Sequence, residues 1–403
     1  MSPTPGGKWS PAKKRSWRGP TSIQFLEHDI LCIIFSVLDL FDLVRCSAVC
    51  KSWNIIIKGS KLLQALYLKQ QKDNYVGISN IDSGSEKTLN MYFEELAMKH
   101  HRQSLVQASS VDIDQWKGHS LGVDQCRMKM GLLLTGVGDK VMRLWSLETY
   151  NCMEEYSIQD ASPLIDFDFD ESKIVGLVGT RICLWRRNGK MSTFPSREGT
   201  FMKGLCMRMH PEPVTCLCLG DDQLILSGSS LGRIMVSGYS SDKWTATLRS
   251  TDSTGIKTLC FNPRSHLVFA GTTAGYTSCW DLRMMRQLWE TRVSPNVIYS
   301  LQHLTNDKSA LVAGGIDGVL RILDQDSGVV LSSYTVDHDT SSSSSRYAHG
   351  VIERRKGRKL PSDINIDQIP RSDRPSITCL AVGMKKVVTT HNSKYIRVWK
   401  FKK

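Results

Sequence analysis

The stretch Asp139-Lys-Val-Met-Arg-Leu-Trp145 decides the reading of this chain, because variants of it return down most of the sequence. They are Thr180-Arg-Ile-Cys-Leu-Trp185, Gly232-Arg-Ile-Met-Val-Ser237, Ala274-Gly-Tyr-Thr-Ser-Cys-Trp280, Asp317-Gly-Val-Leu-Arg-Ile-Leu323 and Ser393-Lys-Tyr-Ile-Arg-Val-Trp399. Each is a turn running into a strand that ends on Trp or a stand-in. The terminal slots are spaced by 40, 52, 43, 43 and 76 residues.

The first four spacings match, with insertions, the length of one four-stranded propeller blade. The last holds either one blade with an insertion or two blades. An insertion over about 335–372 is the preferred reading, because Ser341 to Ser345 and the basic run ending at Lys359 break the strand pattern. Partner strands precede each ending: Gly122-Val-Asp-Gln-Cys-Arg-Met128 and Leu132-Leu-Leu-Thr135 in the first unit, Val214 to Leu219 with Leu224 to Gly228 in the third. Alternating strands at a fixed period predict stacked sheets closed into a ring, with an amino-terminal strand near Ser109 to Trp116 pairing with the last blade. A β-sandwich accounts for isolated strands and not for this recurrence.

These units resemble the WD-repeat family. The first is the fullest match, with Gly118-His119, Thr135, Asp139 and Trp145 in the family's order. The resemblance implies a mainly β, six- or seven-bladed propeller in which His119, Thr135, Asp139 and Trp145 form a buried bracing network rather than a catalytic one. Ser237 and Leu323 replace Trp, and the second blade lacks the Asp.

A different periodicity governs the amino-terminal end. After a Pro- and Gly-containing basic tail over 1–20, Ile30, Leu31, Ile34, Phe35 and Leu38 recur at helical intervals, with His28 and Asp29 at the polar start. Leu43, Cys46, Val49, Cys50 and Trp53 read as a second helical stripe, and Ile55 through Tyr67 as a third. Three helices over 21–68 bury only a small core, so a partner or the rest of the chain must supply further burial.

This segment resembles the F-box family at Leu26, Ile34-Phe35, Leu38, Asp42-Leu43, Arg45, Val49-Cys50-Lys51 and Trp53, and departs from it where Glu27 occupies the usual proline slot. The resemblance implies docking onto a Skp-type adaptor of a cullin-RING ubiquitin ligase. Leu26, Ile30, Leu31, Ile34, Phe35, Leu38, Leu43, Val49 and Trp53 are then the candidate contact or supporting residues. Between the modules, 69–108 opens as a polar loop and continues as a helix from Leu89 to about residue 105, acting either as a spacer or as a semi-independent linker.

Composition sets the remaining bounds. The formal net charge of +13 favours acidic partners without identifying them. The basic runs at Lys8 to Arg18 and Arg354 to Lys359 read first as solvated segments, then as an import signal, then as a phosphate site. Twelve cysteines without compact spacing, no leader and no long apolar run point to the nucleus or cytoplasm and to no membrane association. No nucleophile elbow or phosphate loop is present, so no catalytic, metal or cofactor residue is assigned. Asp166, Asp168 and Asp170 alternate along one strand face, which reads as a solvated surface.

The combined expectation is a noncatalytic substrate-recognition subunit of a Skp-cullin-F-box ligase. It would reach the cullin-RING assembly through its adaptor and bind a protein target, acidic or phosphorylated, through the propeller. The alternatives are a scaffold without productive ligase assembly and, behind it, a nucleic-acid binder. The sequence names no substrate-binding residue.

Overall fold

The computed structural model describes residues 26–66, 89–194 and 213–402, apart from short stretches at 39, 61, 63–64, 138–139, 159–163, 170, 179–180, 188–190, 220–223, 239–243, 252, 305, 338–342, 348–349, 362–363 and 372–373. The chain divides into two compact units, 1–96 and 97–403.

The first unit holds helices α1 (His28–Ser36), α2 (Leu40–Val49) and α3 (Lys51–Gly59). The stripe expected to run unbroken from Leu43 to Trp53 is interrupted at Cys50. Its backbone is extended (φ −157°, ψ 162°), and its sulfur accepts the Trp53 N–H at 3.5 Å. Cys50 therefore caps α3, and Trp53 belongs to that helix. Leu31, Phe35, Leu43, Ile56, Ile57 and Leu96 form this unit's core. Leu96 comes from α4 (Leu89–Val106), inside which the unit boundary falls.

The second unit is a β-propeller. Four sheets of four antiparallel strands follow one another: β2 to β5 (Val123–Ser157), β6 to β9 (Leu164–Phe194), β10 to β13 (Val214–Arg249) and β14 to β17 (Ile256–Arg292). A fifth blade holds β18 (Ile298–His303), β19 (Leu311–Gly315), β20 (Leu320–Leu323) and β21 (Val330–Asp337). The sixth is built from β24 (Cys379–Val382), β25 (Lys386–Thr390), β26 (Tyr395–Lys402) and the amino-terminal β1 (Ser110–Lys117), which pairs with β26 from Ser110↔Lys402 to Lys117↔Tyr395. Six blades are thus present among the described residues. The innermost strands neighbour one another in the order β10, β14, β18, β24, β2, β6.

Core clusters sit between successive blades, because each sheet buries both faces against its neighbours. Leu105, near the end of α4, is fully buried with Ile113, Tyr334, Trp399 and Phe401, and its carbonyl accepts the Tyr334 hydroxyl at 2.7 Å.

The 335–372 segment corrects the sequence reading. Its basic run forms strand β23 (Gly350–Leu360), paired on one side with β21 and β22 (Ser343–Tyr347) and on the other with β1. The outermost strands of the fifth and sixth blades are thereby joined into one ten-stranded sheet. Charge does not prevent the strand because acids of β1 face it: Lys356 Nζ lies 2.9 Å from Asp112, and Arg354 Nε lies 4.0 Å from Asp114.

Candidate functional site

Along α1, apolar residues occupy nearly every position, and the fold divides them. Leu31 and Phe35, one turn apart, are 3% and 1% exposed, with the Phe35 ring edge-on to Trp53 at 5.3 Å. Ile34, Leu38 and Trp53 are half-buried around them, and Leu43 of α2 is fully buried. Leu31, Phe35, Leu38, Leu43 and Trp53 support the module.

The other stripe faces solvent: Leu26 is 37% exposed, Ile30 44%, Ile33 67% and Val37 79%. Ile30 and Ile33 share one face of α1, and Val37 at the C-cap follows Ile33 by four residues, while Leu26 lies just before the N-cap. Val44, Val49 and Ile55 add exposed apolar surface on α2 and α3. Of the residues named from the sequence, Leu26, Ile30 and Val49 are open to a partner. Ile33, Val37, Val44 and Ile55 were missed, since no pattern distinguishes the two faces of a helix apolar all round. Such a face is what a docking surface needs and what an isolated soluble module avoids.

Glu27 stands at the N-cap of α1 without a side-chain cap bond, at φ −61° and ψ 154°. A proline ring imposes the same φ. Glu27 therefore already holds the φ that a proline at this position would impose, although the ring is absent.

In the propeller, bracing networks fix the blades. The Thr135 hydroxyl accepts from Trp145 Nε1 at 2.9 Å and meets His119 Nε2 at 2.7 Å, while Arg143 approaches His119 Nδ1 at 3.0 Å. His119, Thr135 and Trp145 are buried; Asp139 lies outside the described residues. A second network was missed: Thr389 Oγ1 accepts from Trp399 Nε1 at 2.9 Å and meets His391 Nε2 at 2.8 Å. Here the His follows its Thr by two residues instead of preceding the blade. In the fifth blade, where Leu323 replaces Trp, the buried Asp317 carboxylate accepts from Ser294 at 2.8 Å and Arg321 at 2.5 Å.

The inner strands carry a recurring feature. Five of them have a β-bulge at their first residues, which leaves Asp124, Ile165, Thr215, Lys257 and Tyr299 outside the regular register. Bulged residues are re-aimed from the ladder, and these five recur at one end of the inner strands. Two interact across neighbouring blades, with the Lys257 ammonium 5.8 Å from the centre of the Tyr299 ring. Of these positions, Asp124 and Lys257 are exposed and Tyr299 is half-buried.

Two strand-embedded arginines are engaged elsewhere. Arg397 is drawn inward, donating to Gln115 at 2.6 Å, and burial followed by the charge of Arg355 lowers its pKa to about 10. Arg143 is held by His119 and by Glu155 at 2.8 Å. Asp168 is ion-paired with Lys129 at 2.7 Å; the side chains of Asp166 and Asp170 lie outside the described residues. Among the described residues no group of three or more metal-ligating side chains converges, and no helix is long and apolar enough to cross a membrane.

Comparison with known proteins agrees with this division. The F-box-like family profile matches residues 28–69. Over an alignment of 455 positions the chain is 52% identical to an F-box/WD-40 repeat-containing protein of Arabidopsis thaliana, covering 100% of this chain and 99% of that one.

Proposed function

The chain belongs to the F-box/WD-40 repeat-containing proteins, and on that premise we propose that it is the target-recognition subunit of a Skp-cullin-F-box ubiquitin ligase. The observation that carries the proposal is the exposed apolar surface of Ile30 and Ile33 on α1, continued by Leu26 before it and Val37 at its C-cap, on a helix whose other residues Leu31 and Phe35 already belong to the module's core. A Skp-type adaptor covers that surface, while the propeller holds a protein target. The chain performs no bond chemistry. Its contribution is effective concentration, since a target held on the propeller meets the ubiquitin carrier as a tethered neighbour.

The test is adaptor binding by the full-length protein and by Ile33→Asp. Ile33 is mostly exposed, so the substitution leaves the helix packed. Under the adaptor it buries an unpaired carboxylate at a cost of at least ~2 kcal/mol, about a thirtyfold loss of affinity. Unchanged affinity would refute the assigned face.

A further inference from the structure

Two cysteines from different blades meet at the seam of the ring. Cys126 belongs to β2 (Val123–Lys129), the innermost strand of the first blade, and Cys379 opens β24, the innermost strand of the sixth. These strands are neighbours, and both cysteines are buried in the core cluster between the two blades. The strands stay side by side beyond the cysteines, since the Met128 methyl lies 2.8 Å from where a Cβ on Gly383 would sit. The Cys379 thiol donates to the Cys126 carbonyl at 3.8 Å, and the two side chains are hydrogen-bonded to each other. The same carbonyl accepts from the Arg127 guanidinium at 3.1 Å.

Two thiols and a cation therefore converge, which is more than core filling requires. A neighbouring cation favours the thiolate, the form that reacts. The hydrogen bond from Cys126 holds Cys379 below the ordinary thiol range and raises Cys126 itself. One sulfur is thus suited to attack and the other, still protonated, to resolve the product. Elsewhere burial pushes Cys216, Cys260 and Cys279 up to about 12. Cys379 also keeps the greater exposure of the pair, 9% against 1% for Cys126, so a reagent of nearly water size meets it first.

We propose that Cys126 and Cys379 form a redox latch, a dithiol that a hydroperoxide closes into a disulfide across the seam. The Cys379 thiolate attacks a peroxide oxygen, the O–O bond breaks, Cys379 becomes a sulfenic acid and hydroxide leaves. The Cys126 sulfur then attacks the sulfenic sulfur; the S–S bond forms, and the sulfenic oxygen departs with the Cys126 proton as water. The proton first released from Cys379 neutralises the hydroxide, so two thiols and one hydrogen peroxide give one disulfide and two waters. A small thiol reverses the reaction by exchange. In the reduced chain the ring is closed by hydrogen bonds between β1 and β26. The disulfide makes that closure covalent over a long loop, the case in which a cross-link constrains the unfolded chain most. The latch is independent of the adaptor-binding assignment.

The test treats the full-length protein with stoichiometric hydrogen peroxide, blocks the remaining thiols, digests without reductant and maps the peptides by mass. A peptide pair joined through Cys126 and Cys379, and released by dithiothreitol, is expected. In Cys126→Ala, Cys379 should accumulate as sulfenic acid and be captured by dimedone; in Cys379→Ala, Cys126 should stay a free thiol. One oxidised wild-type sample is then unfolded in urea before and after dithiothreitol, which leaves any methionine sulfoxide in place. The unfolding constant should be at least about thirtyfold smaller before reduction, the low end for a disulfide closing a long loop. Free thiols at both positions after peroxide, or either cysteine joined to a different one, would overturn the proposal, and wild-type mapping decides this even if a variant fails to fold. A bridged protein whose unfolding constant is unchanged by dithiothreitol would overturn the latch.

Discussion

Acidification should destabilise the propeller through one buried ring. His391 is enclosed between the carbonyls of Pro375 and Ser376, 3.2 and 3.0 Å from Nδ1, and the Thr389 hydroxyl, 2.8 Å from Nε2. With Nδ1 donating to the carbonyls, Nε2 must accept from the hydroxyl. Adding a proton there buries a charge and sets Nε2–H against the Arg397 guanidinium, whose Nη1 lies 3.4 Å away. Burial first, and the Arg397 charge second, hold the His391 pKa down to about 3, against 6.5 ordinarily. The sign follows from linkage: between these values the unfolded chain carries a proton that the folded chain refuses, so stability is full above about pH 6.5 and falls as pH drops toward 3. The loss is about 1.4 kcal/mol per pH unit, or about 2 kcal/mol between pH 7 and pH 5. His101 and His303, also lowered chiefly by burial, act in the same direction, so the contribution of His391 must be isolated. Urea unfolding of wild type and His391→Gln at both pH values does this. Wild type should lose about 2 kcal/mol more than the variant on acidification; equal losses would refute the assignment of the proton to His391.

Three further outcomes follow from the geometry. Phe35→Ala removes a side chain that is 1% exposed and stacked edge-on against Trp53; it should cost about 3–5 kcal/mol and abolish adaptor binding, checked by proteolysis of the helical module against an intact propeller. Glu27→Pro meets a backbone already at φ −61° and should stabilise that module by about 0.4–1 kcal/mol, read as slower proteolysis of α1. Gly318 lies at φ +71° with the Arg374 carbonyl 2.1 Å from where a Cβ would sit, so Gly318→Ala should lower the propeller's thermal midpoint through a loss of at least about 1 kcal/mol.

What the sequence disclosed depended on whether local order survives in the fold. The Trp145 and Trp399 strand endings, with their turns upstream, are local features, and the blades stand where that spacing puts them. The His119, Thr135 and Trp145 network was legible because its members keep the family's order. The His391 network was not, because the same chemistry is wired from a different position. Strand β23 was hidden by composition: five cations in six positions from Arg354 to Lys359 read as solvent-loving, and only pairing with the distant Asp112 and Asp114 reveals why they tolerate a sheet. On α1, Leu31 and Ile30 are equally apolar, yet one is core and its neighbour lies open.

The central claim is that the helical module joins this propeller to a ligase. The most direct test is size-exclusion chromatography of the full-length protein with a purified Skp-type adaptor and its cullin. Co-elution of all three, lost with Ile33→Asp while the variant remains folded, is the predicted result. Separate elution of folded wild-type protein from the adaptor and cullin would contradict it.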